Sequence, residues 1–356
     1  MANPLPAEFV RRPAEFDALM RLLLAQNRKS PVAITAALSG AGGYGKTMMA
    51  TAICHDQRIR NTFKDGILWV TLGENPGDLA GRVEDLIQTL TGERPGFSNT
   101  EAAIPRLKEL LADRDILIVI DDVWNRDHLR PFMQGGSRCA HLITTRKLSV
   151  LPVGIKDVVV SSMSNEEATA MLRANLAEHE GEYSQNELPV WSQKLGKWPL
   201  LLRLVNDELR RRCARGHLLP SAMNHIKEQF EEIGITALDR VDLTDRNRSV
   251  ARSIETSLRE LTEEEGARFA ELAVFDLNKP IPTATLELYW ALTGNFSKIK
   301  TKRFCDRLHD LSLVYYFDTK YFSILIPQAI HRFLQDQHKN EITKFRHNLL
   351  TCLVEF

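Results

Sequence analysis

The stretch Gly40-Ala41-Gly42-Gly43-Tyr44-Gly45-Lys46-Thr47 fits the spacing G-x-x-x-x-G-K-[ST], which builds a phosphate cradle. Glycines let backbone N–H groups approach an anion with no Cβ in the way. Lys46 supplies a cation for the β- and γ-phosphates, and Thr47 a hydroxyl for Mg2+. A second chemical group closes the apolar run Ile116-Leu117-Ile118-Val119-Ile120: the paired carboxylates Asp121 and Asp122. Asp121 suits a magnesium-water partner beside Thr47, and Asp122 a carboxylate that orients an attacking water. A third group, Arg146, ends the run His141-Leu142-Ile143-Thr144-Thr145; a guanidinium there can sense a terminal phosphate. The candidate catalytic set is therefore Lys46, Asp121, Asp122 and Arg146, and the candidate metal set is Thr47 with Asp121.

Such groups act together only if strands and helices deliver them to one edge. Val32–Leu38 reads as a buried strand feeding the loop, and Met48–Ile53 as a helix whose positive N-terminal dipole faces the phosphates. Gly66–Leu72 reads as a second strand, and five successive apolar residues before Asp121 describe a strand buried on both faces of a parallel sheet. Strand ends carrying polar residues are where open α/β sheets bind ligands. Helices are expected from Asn75-Pro76-Gly77-Asp78 to Leu90 and over Thr100–Ala112. Asp157–Val160 reads as one more strand, and Pro6–Gln26 as a short extended lead-in followed by a helix.

Composition agrees with a globular chain. The 356 residues are 44% hydrophobic and 26% charged, with no net charge, so two or three domains are expected and bulk charge gives nucleic acid or anionic membrane no footprint. The five scattered cysteines form no C-x-x-C pair, which argues against zinc and a disulfide framework and for a reducing cytoplasm. No apolar run reaches the ~18 residues of a membrane span.

After residue 160 the pattern turns helical. Ser164-Asn165-Glu166-Glu167 reads as a capping box, followed by helices over about 166–178, 188–195, 200–212 and 220–232. From about Leu243 come helices over 250–258, 263–273, 283–291 and 300–311. Two short strands follow (313–317 and 321–326), joined at Asp318-Thr319-Lys320, and then a helix over 328–335. Helices ending in a small hairpin suggest a winged helix. The apolar stripe Ile342, Phe345, Leu349, Leu350 and Leu353 ends without a cap, so the chain is expected to continue past Phe356.

In this order the motifs resemble the NB-ARC branch of the STAND nucleotide-switch ATPases. The phosphate loop is joined by Phe9-Val10-x-Arg12, similar to the family's adenine-cupping segment, and by Leu68-Trp69-Val70. The acidic strand with Trp124, the Thr144-Thr145-Arg146 sensor and Gly196–Leu200 with Pro199 complete the set. The resemblance implies an α/β P-loop NTPase domain (parallel sheet with helices on both faces) over 1–160, an all-α helical domain over 161–242 and a winged-helix domain over 243–337. Residues 338–356 would begin a further, repeat-type domain. It implies ADP or ATP with Mg2+ as cofactors, bound by Phe9, Val10, Arg12, Gly42, Gly43, Tyr44, Gly45, Lys46, Thr47, Met48, Pro199 and Leu200. It also implies a cytoplasmic switch held closed by ADP, opened by an activating ligand on the C-terminal part, and self-associating when open. With only a few residues before Phe9, no N-terminal effector module is expected there. Two other readings are a winged-helix DNA-binding ATPase or transcription regulator, resting on Lys298, Lys300, Lys302 and Arg303, and a fast metabolic kinase or NTPase.

The sequence departs from the family pattern at two places. Met48 stands where a second hydroxyl is usual. Ile326-Pro327-Gln328 stands where members carry M-H-D, whose His touches the β-phosphate of ADP; Pro327 has no donor of any kind. Leu308-His309-Asp310 is similar in letters but precedes the hairpin. We therefore expect ADP to be held less tightly here: a bond of that kind is worth roughly 1–3 kcal/mol. Pro327→His with Gln328→Asp should slow the release of labelled ADP in a chase experiment, while loss of the proline costs about 0.4–1 kcal/mol through the unfolded chain. An unchanged release rate, with unchanged stabilisation by ADP, would show that another residue makes the contact.

Overall fold

The computed structural model describes residues 4–6, 9–25, 34–39, 43–160, 162–176, 182–233, 258–276, 279–311, 313–318, 322–326 and 328–354. Contacts divide the chain into two compact units, one of Met1–Gly40 with Gly45–Ser161 and one of Ala41–Tyr44 with Ser162–Phe356.

The first unit is built on a parallel sheet of β1 (Ile34–Ser39), β2 (Gly66–Gly73), β3 (Ile116–Val123), β4 (Ala140–Thr145) and β5 (Lys156–Val159), in the order β2-β3-β4-β1-β5. The run Ile116–Ile120 is wholly buried, as strands covered on both faces must be. Ile116, Ile118 and Ile120 share a core with Leu68, Val70 and Leu72 of β2. Val83, Leu86 and Ile87 of α4 (Leu79–Thr91) and Leu107 and Leu111 of α5 (Thr100–Leu111) complete that core. Leu117 and Val119 point to the opposite face and are equally buried; α1 (Pro13–Leu23) and α2 (Lys46–His55) pack against β1, β3, β4 and β5.

Some boundaries differ from the sequence reading. Helix α4 begins at Leu79, not Asn75, because Gly77 is left-handed (φ 70°) and the Asp78 side chain caps the first turn by accepting from Ala80 N at 3.0 Å. The polar segment Gln57–Thr62 forms an unanticipated helix α3; Asp56 caps it and only Ile59 is buried, so it has no apolar stripe to betray it. A four-residue helix α6 (Arg126–Leu129) follows β3.

In the second unit, α7 (Asn165–Arg173) carries the expected capping box: Glu167 N donates to Ser164 Oγ at 3.1 Å and Ser164 N to Glu167 Oε2 at 2.9 Å. Helix α8 (Glu182–Lys194) starts earlier than expected and runs through Pro189; its polar first half carries no apolar periodicity. α9 (Pro199–Ala214) begins with Pro199, whose missing N–H costs nothing in a first turn, and buries Leu200, Leu201, Leu202, Val205 and Leu209. α10 spans Leu219–Ile233.

Residues 258–354 contain α11 (Glu263–Ala270), β6 (Ile281–Pro282), α12 (Thr283–Gly294), α13 (Lys298–Asp310), β7 (Tyr315–Asp318), β8 (Ser323–Leu325), α14 (Gln328–Gln337) and α15 (Ile342–Val354). The strands form an antiparallel sheet in the order β6-β8-β7. β6 was not anticipated: two residues ending in proline give no strand signal, and proline is tolerated only at such edges. Trp290 packs on Phe304 and Phe296 at 5.2 and 6.1 Å between centroids, and Tyr289 Oη donates to Phe345 O at 2.8 Å, tying α12 to α15. His331, near the departed M-H-D position, is buried with Nε2 bonded to Phe275 O at 2.8 Å. Pro327, residues 250–257 and the Thr319-Lys320 turn lie outside the described residues.

Asn206 on α9 is fully buried and donates from Nδ2 to Leu172 O (2.8 Å) and Ala174 O (2.9 Å), capping the C-terminal end of α7. Asn206→Ala strips two carbonyls of their donor and should cost about 1–3 kcal/mol in urea unfolding. Asn206→Asp, an acceptor facing two acceptors at neutral pH, should cost more. An aspartate variant as stable as wild type would contradict this assignment.

Candidate functional site

The site of the first unit starts at a helix terminus. Gly45 is the N-cap of α2 in the left-handed region (φ 88°), where a side chain is disfavoured. It turns the chain so that Lys46 and Thr47 open the helix. Lys46 is 9% exposed, whereas Thr47 is exposed and Met48 half-buried. Burial pushes the Lys46 ammonium down from 10.5 to about 7; Arg146 adds repulsion, and Asp122 and Asp121 pull it back up. A buried cation at a positive helix end, with a second cation nearby, is stabilised by an anion brought to it. These residues fit a phosphate group on their own chemistry. Gly42 lies outside the described residues.

Asp121, 4% exposed, lies near the C-terminal end of β3. Its Oδ1 accepts from Thr47 Oγ1 at 2.8 Å and from Thr144 Oγ1 at 2.7 Å, while Thr71 Oγ1 donates to Oδ2 at 3.4 Å. Burial raises its pKa, and the hydroxyl bonds oppose that. Thr71 in turn accepts from Trp69 Nε1 at 3.0 Å. The Thr47 hydroxyl spends its proton on Asp121 and keeps its lone pairs, so oxygen donors of the kind a hard cation takes stand side by side. Thr47 and Asp121 fit Mg2+.

Asp122 does not continue the strand. Its φ is 55°, and the β3–β4 register slips by one residue between Ile120 and Val123, a bulge that re-aims side chains. Asp122 N donates to Thr144 Oγ1 at 2.9 Å, and Trp124 Nε1 donates to Asp122 Oδ1 at 2.9 Å. Both carboxylates act on Lys46. Arg146 is 8% exposed, its guanidinium carbon 5.3 Å from the Trp124 ring centre. The first unit thus brings together Lys46, Thr47, Asp121, Asp122 and Arg146. The sequence reading assigned no separate role to Thr71, Thr144 or Trp124. The last two sit inside recognised motifs; the threonine at the end of β2 carried no signal of its own.

Phe9 and Val10 are half-buried ahead of α1, with Phe9 N bonded to Pro6 O at 3.0 Å; Arg12 is buried, N-caps α1 and pairs with Glu15. In the second unit Gly43 (φ 76°) accepts from Leu200 N at 3.1 Å, and the Tyr44 and Trp198 ring centres are 6.0 Å apart. A Cβ on Gly43 would lie 2.8 Å from Leu200 Cβ and 2.9 Å from Trp198 Nε1, so this glycine is required by packing as well as by its dihedral. Pro199 and Leu200 are buried beside it.

Comparison with known proteins agrees with this geometry. Residues 14–181 match the NB-ARC domain family. The chain is 26% identical over 302 residues to apoptotic protease-activating factor 1 of Danio rerio, covering 81% of this chain and 23% of that protein. It is 28% identical over 212 residues to the regulatory protein AfsR of Streptomyces coelicolor (58% of this chain, 21% of that one). It is 26% identical over 212 residues to disease resistance protein RGA2 of Solanum bulbocastanum (56% and 21%). The matches thus span less than a quarter of the length of these relatives. Among solved structures, a Walker-type ATPase of Pyrococcus abyssi aligns with TM-score 0.59 at 14% identity, over 92% of this chain and 95% of that one, a likeness of fold. The match over residues 14–181 is to the NB-ARC domain, and with the site's geometry it supports a nucleotide-binding P-loop domain there.

Burial holds the Lys46 ammonium down at about 7 in the fold, against 10.5 for the same group in water. Between those values the unfolded chain binds more protons, so stability rises with pH across that window. Nucleotide-stripped protein should gain melting temperature from about pH 7 to about pH 9 relative to Lys46→Met, which lacks the titrating group. Parallel profiles would show that Lys46 keeps its ordinary basicity.

Proposed function

We propose that this chain is an ADP- and ATP-binding signalling switch with slow, Mg2+-dependent ATPase activity. The observation that carries the reading is the buried Lys46 at the start of α2, facing the Thr47–Asp121–Thr144 hydroxyl–carboxylate cluster. In this reading Lys46 binds the β- and γ-phosphates. Thr47 and Asp121 hold Mg2+, which supplies charge neutralisation at the phosphates. Asp122 orients a water by accepting its hydrogen bond, and Arg146 meets the terminal phosphate. Phe9, Val10, Arg12, Pro199 and Leu200 serve the adenine, and Gly42 to Met48 the phosphate chain.

We read 161–242 as the helical domain and 243–337 as a winged helix, supported by α11 to α13, the β6-β8-β7 sheet whose hairpin β7–β8 follows α13, and α14; 338–356 would open a further domain. ADP holds the closed state, and exchange for ATP opens it for self-association on an activating signal, each nucleotide shifting the balance by its differential contacts. Five free, buried cysteines support a reducing cytoplasm, and no helix among the described residues is long and apolar enough to cross a membrane. The DNA-binding alternative loses support on α13: Lys300 Nζ is bonded to both oxygens of Glu264 at 2.8 Å, and Lys302 lies 4.4 Å from the centre of the Phe322 ring.

Protein purified without added nucleotide should release ADP on denaturation, read by ion exchange of the supernatant; GDP in its place would refute the adenine assignment. Lys46→Ala should lose most ADP affinity by calorimetry. Asp122→Asn should keep that affinity and lose phosphate release. Equal loss of ADP affinity in both variants would refute the division of labour.

A further inference from the structure

Trp124 is buried, yet it contacts two groups of different chemistry. From its edge Nε1 donates to Asp122 Oδ1 at 2.9 Å. Over its ring lie the Arg146 guanidinium, 5.3 Å from the centre, and the Lys147 ammonium, 5.4 Å from it, within the roughly 6 Å reach of a cation–π contact. We propose that Trp124 is a positioning residue for nucleotide hydrolysis, its indole N–H setting the Asp122 carboxylate and its ring face carrying Arg146. The proposal rests on the reading above, in which Asp122 orients water and Arg146 meets the terminal phosphate.

The backbone makes such a brace necessary. Asp122 sits at φ 55° on a bulge, a conformation that aspartate adopts more readily than most side-chain-bearing residues but that still takes its carboxylate out of the strand's alternation. The bond from Asp122 N to Thr144 Oγ1 fixes the main chain but leaves the carboxylate free to rotate. The indole bond engages Oδ1, which turns Oδ2 toward the role of acceptor for a water. Oδ2 faces the backbone of Gly73, 4.0 Å from where a Cβ there would stand. Arg146 has the opposite need. It is a long cation beside Lys46, which it repels, and an aromatic face holds it without neutralising its charge. Only tryptophan combines an edge N–H donor with a broad π-face. In the reaction served, a water oxygen bonds the terminal phosphorus while the bridging P–O bond to ADP breaks. The water proton leaves on inorganic phosphate, and Asp122 accepts a hydrogen bond without being consumed.

Phenylalanine keeps the face and removes the donor; leucine removes both. Single-turnover phosphate release and calorimetric affinities for ATP and ADP separate the two functions. Trp124→Phe should release phosphate about tenfold more slowly or worse, the scale of a hydrogen bond to a charged group, with both affinities unchanged. Its effect should vanish in an Asp122→Asn background. Trp124→Leu should in addition lose part of the preference for ATP over ADP, and that loss should vanish in an Arg146→Ala background; this arm needs no turnover. Melting curves confirm folding, and the conservative Phe variant carries the test if Leu does not fold. Phosphate release by Trp124→Phe at the wild-type rate, or additive losses in both double variants, overturns the proposal. Wild-type protein that binds ATP and releases no phosphate overturns it too. Wild-type protein that binds no nucleotide sinks the nucleotide reading itself.

Discussion

An ammonium group taken out of water must be answered by negative charge, and Lys46 is such a group. Its surroundings answer only in part. The start of α2 is the positive end of a helix dipole, and Arg146 adds a second cation. Asp121 and Asp122 return two negative charges, but Asp121 is itself buried, with its ionised form disfavoured by the same loss of water. Two buried groups of opposite sign, each pushed toward neutrality, define a place that gains on receiving a ligand carrying several negative charges and a divalent cation.

The sheet order makes this cluster possible. β4 lies between β1, which feeds the phosphate loop, and β3, which ends in the carboxylates. Thr144, near the end of the middle strand, therefore stands where its hydroxyl reaches both β3 residues. The Asp122 bulge has the same logic. In an unbroken strand consecutive side chains point to opposite faces, and only a local irregularity lets both carboxylates act on one lysine.

Much of this was legible in the sequence, and the reasons differ by element. The apolar run before Asp121 left no alternative to a strand buried on both faces, and the glycine spacing before Lys46 has little use apart from an anion. The capping box at Ser164 was readable because its reciprocal bonds are local. What escaped depends on contacts distant in sequence or on weak local patterns. Thr71 and Thr144 reach Asp121 across 50 and 23 residues. Asn206 caps a helix that ends some 30 residues earlier. β6 exists because β8 offers it a partner, and Gln57–Thr62 because Asp56 caps it, and neither has a periodic pattern.

The Thr144 hydroxyl has one proton, and because its oxygen accepts from the Asp122 amide, that proton points at Asp121. The two bonds form a relay with a direction: carboxylate, hydroxyl, amide. Any event that cancels the charge on the first aspartate, whether a proton or a cation, weakens the pull that orients the hydroxyl and with it the hold on the next residue's backbone. The posture of the second carboxylate is thus a local readout of the electrical state of the first.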